Sequence, residues 1–287
     1  MTTPSTPAEQ RFGGSWRMLI PFLFLPLLIV AGSVGVFLLF GKLADIEKGP
    51  FEYLQDMTSG SEHKRWQAAF ELSKYLSSKK IENVDKFETE MLQILQNSKN
   101  ENDARLRSYI IIGLAQIGTE KSVPVLTDVL SREKNSENKI YSIWALGRIA
   151  SPNAASIIEE QISSDDAGIR KTAAFSLGFV GEKKHILMLE KLLEDPVEDV
   201  RWNASLGLAQ LGSSAGQSTL LQLLDPAYLR QATPNLRDSE RNEIMLSAVN
   251  AVGKLKLQAA KEPISSLAKS ASDQRLRIAA NNILQIL

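Results

Sequence analysis

Ile169-Arg170-Lys171-Thr172-Ala173-Ala174-Phe175-Ser176-Leu177-Gly178-Phe179-Val180-Gly181 decides the fold. With Arg170 as position zero, Ala173, Ala174, Leu177, Gly178, Val180 and Gly181 stand at +3, +4, +7, +8, +10 and +11. That is the spacing of one helical face, closed by a glycine stop. The pattern recurs. Arg201 is followed by Ala204, Ser205, Leu208, Ala209, Leu211 and Gly212. Arg107 is followed by Ile110, Ile111, Leu114, Ala115, Ile117 and Gly118, and Lys139 by Ser142, Ile143, Leu146, Gly147, Ile149 and Ala150. Weaker copies begin at Arg65, Met245 and Arg277. The steps between zero positions are 42, 32, 31, 31, 44 and 32 residues, so one period carries two insertions.

A shorter apolar segment precedes most copies: Val123–Leu130, Ala154–Ile162, Ile186–Leu193 and Ser218–Leu224. Pro124 and Pro263 fall where a first helical turn tolerates a missing N–H. Small residues at +3, +4 and +8 allow close approach of a neighbouring helix. No alternating strand pattern competes. The expectation is an all-α fold, an α-solenoid of about seven helix pairs over residues 51–287.

These copies resemble HEAT repeats, and in particular the short HEAT-like repeats named after phycobilin lyases. The resemblance covers roughly residues 50–287. It implies paired helices stacked in register, with the second helix of each pair lining a concave groove. It does not imply one function, because such repeats serve scaffolds, adaptors and a few enzymes.

At 100° per residue, +3, +4, +7, +10 and +11 share the core face of each longer helix, while +1, +2, +5 and +9 point away. The outward positions are unexpectedly apolar. Trp66, Ile140 and Trp202 stand at +1, Tyr109 and Tyr141 at +2, and Phe179 at +9. At +5 stand Phe70, Ile112, Trp144, Phe175 and Leu206, giving way to Asn250 and Asn282. Either neighbouring first helices bury these rings, or the rings floor a groove for a partner. Aromatic anchors dominate interface energetics at roughly 2–4 kcal/mol each, which favours the groove. The candidate partner-binding residues are therefore Trp66, Phe70, Tyr109, Ile112, Tyr141, Trp144, Phe175, Trp202 and Leu206. Lys74, Arg148 and Lys254 at +9 and Lys171 at +1 read as solvated rim charges that could pair with acidic groups on a ligand. The longer insertion, around 225–241, reads equally as a recognition loop or as a tolerated surface insertion.

Chemistry is excluded more firmly than binding. The 287 residues include no cysteine and two histidines, His63 and His185, both expected at the surface near helix starts. That removes disulfides, thiolate metal sites and cysteine nucleophiles, and nearly removes a histidine metal site. There is no phosphate-binding glycine loop and no nucleophile elbow. Iron hydroxylases built on HEAT repeats carry His-Glu dipeptides, but here His63 precedes Lys64 and His185 precedes Ile186. No enzyme activity, cofactor or metal is expected. With 33 basic and 33 acidic residues the net charge is zero, so no nucleic-acid partner is expected either.

The N-terminal region has its own composition. No residue from Met18 to Gly41 is charged. As a helix this run would span about 36 Å at ~1.5 Å per residue, against a hydrocarbon core of about 30 Å. Trp16 and Arg17 sit at one end and Lys42 at the other. A cleaved signal peptide is the competing reading, but Val34–Phe40 extends the run past the small-residue site Ala31-Gly32-Ser33. The expected organisation is a disordered lead at 1–15, a transmembrane helix at 16–41, a linker at 42–50 and the solenoid at 51–287. Residues 18–41 would contact the lipid bilayer. Arg11 and Arg17 tilt the positive-inside rule toward a cytoplasmic N-terminus, placing the solenoid outside the cytoplasm of a bacterial inner membrane. The whole reads as a membrane-tethered, noncatalytic scaffold or adaptor for a protein or peptide partner through this aromatic groove, in its most concrete version an accessory subunit of a membrane complex. The alternative is a lyase-like or carrier protein for a hydrophobic small molecule, a tetrapyrrole or a lipid.

Overall fold

The computed structural model describes residues 48–78, 80–98 and 103–287, together with Ser33, Val34 and Val36. The expected lead and most of the expected membrane helix and linker lie outside the described residues. Among the described residues, no helix is long and apolar enough to cross a membrane.

Pro50–Leu287 forms one compact unit. It contains fifteen α-helices and, among the described residues, no strand. The helices pair as α1 (Pro50–Thr58) with α2 (Glu62–Ser78), α3 (Val84–Asn97) with α4 (Ala104–Ile117), and α5 (Val123–Arg132) with α6 (Ser136–Ile149). Next come α7 (Ala155–Glu159) with α8 (Ala167–Val180), and α9 (Ile186–Lys191) with α10 (Glu198–Gln210). Short 3₁₀ turns extend α7 and α9. The sixth pair, α11 (Gln217–Leu223) and α13 (Asp238–Lys254), is interrupted by α12 (Pro226–Ala232). Last are α14 (Lys261–Ser270) and α15 (Gln274–Leu284). All seven frames found in the sequence fall on second helices.

Local chemistry sets the helix starts. Asp166 accepts hydrogen bonds from the Gly168 and Ile169 amides, and Asp273 does the same for Arg275 and Leu276. Asn135 caps α6 through the Asn138 amide. These caps satisfy amides that the first helical turn leaves without partners.

Second helices pack extensively on their successors, α2 on α4, α4 on α6, α6 on α8 and α8 on α10, whereas first helices touch sparsely. The second-helix layer is therefore the tighter, inner one. Its closeness depends on small residues, among them Gly178 at +8 and Gly207 at +6 of their frames. A Cβ added to Gly178 would lie 2.7 Å from Gly207 Cα, and one on Gly207 would lie 2.5 Å from the Ala174 carbonyl oxygen. The apolar core falls into two clusters that divide along α10: Ala204 and Leu208 join the first, Trp202 and Ala209 the second.

The zero-position arginines lock the turns. Arg170 Nη1 donates to the Ser164 and Asp165 carbonyls (2.8 and 3.0 Å), and Arg201 Nη1 to those of Asp195 and Pro196 (2.8 and 3.3 Å). Arg277 repeats the geometry on Ala271 and Ser272. Several of these side chains also reach an acid in the next repeat's turn: Arg65–Asp103 (2.8 Å), Arg107–Glu133 (2.7 Å) and Arg170–Asp195 (2.8 Å). In the sixth pair the frame puts buried Met245 at zero, and Arg241, one turn earlier, takes over by donating to the Thr233 carbonyl.

His185 corrects the expectation of two surface histidines. It is 1% exposed, with Nδ1 accepting from the Glu182 amide (2.7 Å) at the start of the fifth pair. Its Nε2 lies 3.4 Å from Glu159. Burial follows because the ring serves as a cap between repeats. His63 is exposed.

Candidate functional site

The outward face of the second helices carries the candidate residues. Trp66, Phe70, Tyr109, Ile112, Tyr141, Trp144, Phe175 and Leu206 are all half-buried, and Phe179 is 44% exposed. Each therefore keeps one side open to solvent.

Two aromatic groups result. In the first, Phe70 meets Tyr109 edge-on at 5.2 Å between centroids, and Trp66 stacks toward Tyr109 at 6.5 Å. The His63 ring lies at 5.0 Å from Trp66. The Arg105 guanidinium sits 5.6 Å from the Trp66 ring, and Lys74 Nζ 5.2 Å from the Phe70 ring. Arg105 escaped the sequence reading because frames began at zero. At position −2 it stands at 160°, on the same face.

The second group is centred on α6 and α8. Phe175 and Phe179 meet at 5.0 Å, and the Arg148 guanidinium lies 6.0 Å from the Trp144 ring. Between the two helices is a cavity of about 250 Å³ lined by Trp144, Gly147, Arg148, Phe175, Ser176 and Phe179. Gly147 and Ser176 bring the two helices close beside it: a Cβ on Gly147 would lie 2.7 Å from Ser176 Cβ, and the Ser176 hydroxyl donates to the Ile143 carbonyl.

Tyr141 lies between the groups. Its hydroxyl donates to Glu137 (2.8 Å), and burial, followed by this bond and the Glu137 charge, pushes its pKa up to about 12. It remains a neutral donor.

Trp202 departs from the expectation. It is 4% exposed, and α12 covers it: the indole Nε1 donates to the Tyr228 hydroxyl, and Leu229 of the same helix is wholly buried in the second core. The insertion is thus neither a projecting recognition loop nor a loose surface excursion. It is a packed helix, started by the Asp225 cap and Pro226 and held at its end by Arg241. The accessible groove stops before this cover, and Trp202 drops out of it.

Among the described residues, no group of three or more His, Asp or Glu could hold a metal ion.

HEAT repeats match residues 89–174 and 156–237, together more than half of the chain. This is a HEAT-repeat protein. No curated protein matches it. Among solved structures it is similar to a chain in the complex of CpcE and CpcF of phycocyanin lyase from Nostoc sp. PCC7120. The identity is 19%, the coverage 83% of this chain and 87% of that one, and the TM-score 0.62. It is also similar to the archaeal HEAT-like repeats protein from Thermococcus onnurineus NA1, at 14% identity, 84% and 98% coverage and a TM-score of 0.44. At such identities the first likeness speaks for the fold alone. The HEAT pairs extend beyond the matched residues in both directions, to Pro50 and Leu284.

Proposed function

We propose that this HEAT-repeat protein is a noncatalytic scaffold that holds a protein or peptide partner across the face of its second helices. The cavity between α6 and α8 carries the reading. Trp144, Phe175 and Phe179 keep open apolar surface there beside Arg148, and the helix backbones around them are held by core packing. A rigid floor with open aromatic edges suits an anchor side chain. The volume argues against a tetrapyrrole or lipid seated between α6 and α8; larger cavities, of about 680 and 380 Å³, lie away from this face, at α1 and α3 and beside α12. At about 250 Å³ the cavity falls below the roughly 300–1,000 Å³ of ordinary small-molecule sites. A tetrapyrrole or lipid would need more.

Membrane tethering belongs to the same proposal. The uncharged run Met18–Gly41, flanked by Arg17 and Lys42, supports it. A tether confines the scaffold near the bilayer and raises its effective concentration toward other membrane components.

The test is a photo-crosslinking amino acid placed at position 179 in native membranes, with position 187 as control. Leu187 is 70% exposed but lies on a first helix. An adduct from position 179 alone, lost when Trp144→Ala is added, supports the groove. Equal adducts from both positions refute it. The anchor is tested by alkaline carbonate extraction, and its orientation by a membrane-impermeant maleimide on Ser239→Cys, the sole thiol in a cysteine-free chain. Release of the full-length chain by carbonate refutes the anchor.

A further inference from the structure

Two rows of side chains run along the second-helix face, and they differ in character. The floor, at +5, is aromatic and aliphatic through the first five pairs. One helical turn further along each helix, about 6 Å away, the +9 row reads Lys74, Gln116, Arg148, Phe179, Gln210 and Lys254. Neither row contains a carboxylate. The opposite edge of the groove is mixed, with Arg105 and Glu137 in equivalent positions of adjacent pairs and Lys171 bound to Asp199 at 2.9 Å.

Within the +9 row the cations differ in occupancy. Lys74 is paired with Glu71 (3.0 Å), and Lys254 donates to the Gln210 carbonyl and side-chain oxygen. Arg148 is exposed and lies over Trp144, without an acidic partner among the described residues. It stands at the lip of a cavity that joins floor and ledge.

We infer that the occupant of this groove is an acidic peptide segment, seating an apolar side chain against Trp144 and Phe175 and a carboxylate on Arg148. The inference rests on the scaffold reading and adds the chemistry of the partner. Arginine presents a planar fork that a carboxylate meets with two parallel hydrogen bonds. Gln116 and Gln210 flank it along the ledge as neutral amides that do not repel an anion. An extended chain advances about 3.3 Å per residue, and packed helices stand about 8–10 Å apart. Roughly three peptide residues therefore pass each pair, so apolar and acidic positions can be interleaved to meet both rows. A basic segment would find no carboxylate on the floor or the ledge. A polyanionic nucleic acid is disfavoured by the zero net charge of the chain.

The experiment selects a displayed library of randomised peptides on the full-length chain in nanodiscs, in parallel with Trp144→Ala, Arg148→Ala, Arg148→Glu and Arg148→Lys variants whose folding is checked by thermal melting. The expected result is enrichment of Asp and Glu beside a large apolar residue. The best peptide should bind Arg148→Ala about fivefold more weakly, the scale of one exposed ion pair. It should largely recover on Arg148→Lys, and the library on Arg148→Glu should shift toward Lys and Arg. Peptides that need Trp144 but show no acidic enrichment overturn this inference and leave the groove standing. Peptides that bind the Trp144→Ala chain unchanged, or no selected peptide at all, overturn the groove itself.

Discussion

The Trp202 indole Nε1 lies 3.3 Å from the Tyr228 hydroxyl and donates to it, and that hydroxyl donates in turn to Glu198. The two rings meet edge-on at 6.3 Å between centroids. An indole on the groove-facing side of α10 is thus closed over by a helix that the repeat period does not contain. Removing the cover should show. In a chain whose other three tryptophans are replaced by phenylalanine, Tyr228→Ala is expected to red-shift Trp202 emission and raise its quenching by iodide. A half-buried ring should cost about 2 kcal/mol of stability. Tyr228→Phe keeps the ring, loses only the hydrogen bonds, and should cost about 1 kcal/mol with little spectral change. An unshifted Tyr228→Ala spectrum would mean that α12 is not what seals the indole.

Close helix approach makes a second prediction. Ala at position 207 would put a methyl 2.5 Å from the Ala174 carbonyl oxygen, a backbone atom that cannot turn aside. Gly207→Ala is expected to cost about 2–3 kcal/mol by overpacking. Gly113→Ala offers the contrast, because its methyl would meet only the tips of the Met91 and Leu76 side chains, at 2.9 and 3.0 Å. Flexible tips can move, so the loss should be smaller. Chemical denaturation of both variants ranks them, and equal losses would contradict the packing argument.

What the sequence made legible follows from the range of its signals. The frames at Arg107, Lys139, Arg170 and Arg201 are helical patterns repeated at one period, and each lands on a second helix. Angles around a helix also separate Trp144 and Phe175 from Leu146 and Leu177, and the burial agrees. Trp202 obeys the same arithmetic, yet its cover arrives from 26 residues away through Leu229 and Tyr228. No one-helix angle contains that. Arg241 was hidden for another reason: aligning apolar residues sets zero at Met245, and the arginine's task moved one turn back. His185 carried no signal of burial, because a cap between two repeats depends on Glu159 and Gly181 in the preceding pair.

The turn arginines give an acid limb to stability. The hydrogen bond from Arg170 holds the Asp195 carboxyl below its ordinary 3.8, against burial, which pushes it up. Burial also pushes Glu133 up, but hydrogen bonds from Arg107 and the Asn135 amide, with the Arg107 charge, outweigh it and leave it below 4.5. A folded-state value lowered in this way means that the unfolded chain binds more protons. The contribution is therefore full above the ordinary values and is lost as pH falls through the lowered ones. Melting temperature should be level from pH 8 to about 6 and fall steeply below about 4. Arg170→Met should lower it at pH 7 and flatten that acid fall. The same acid slope in Arg170→Met as in the parent chain would discard the ladder as its source.

Tyr141 sets an opposite limit on the groove itself. Burial first, then the hydrogen bond to Glu137 and its charge, raise the phenol to about 12, from 10.0. Here the folded state holds its proton more tightly. The stabilisation is full below pH 10 and disappears as pH rises through 12. Absorbance at 295 nm should therefore show a late phase of tyrosine ionisation to which Tyr228, also raised by burial and its bond to Glu198, contributes, and Tyr141→Phe should shrink that phase by one tyrosine. Glu137→Gln separates the two causes. It deletes the charge while leaving the ring in place between its neighbours, so the Tyr141 step should move down without reaching 10. A step that fell all the way to 10 would mean that the ring is solvated. The groove floor between Tyr109 and Trp144 would then be looser than a rigid seat for a partner requires.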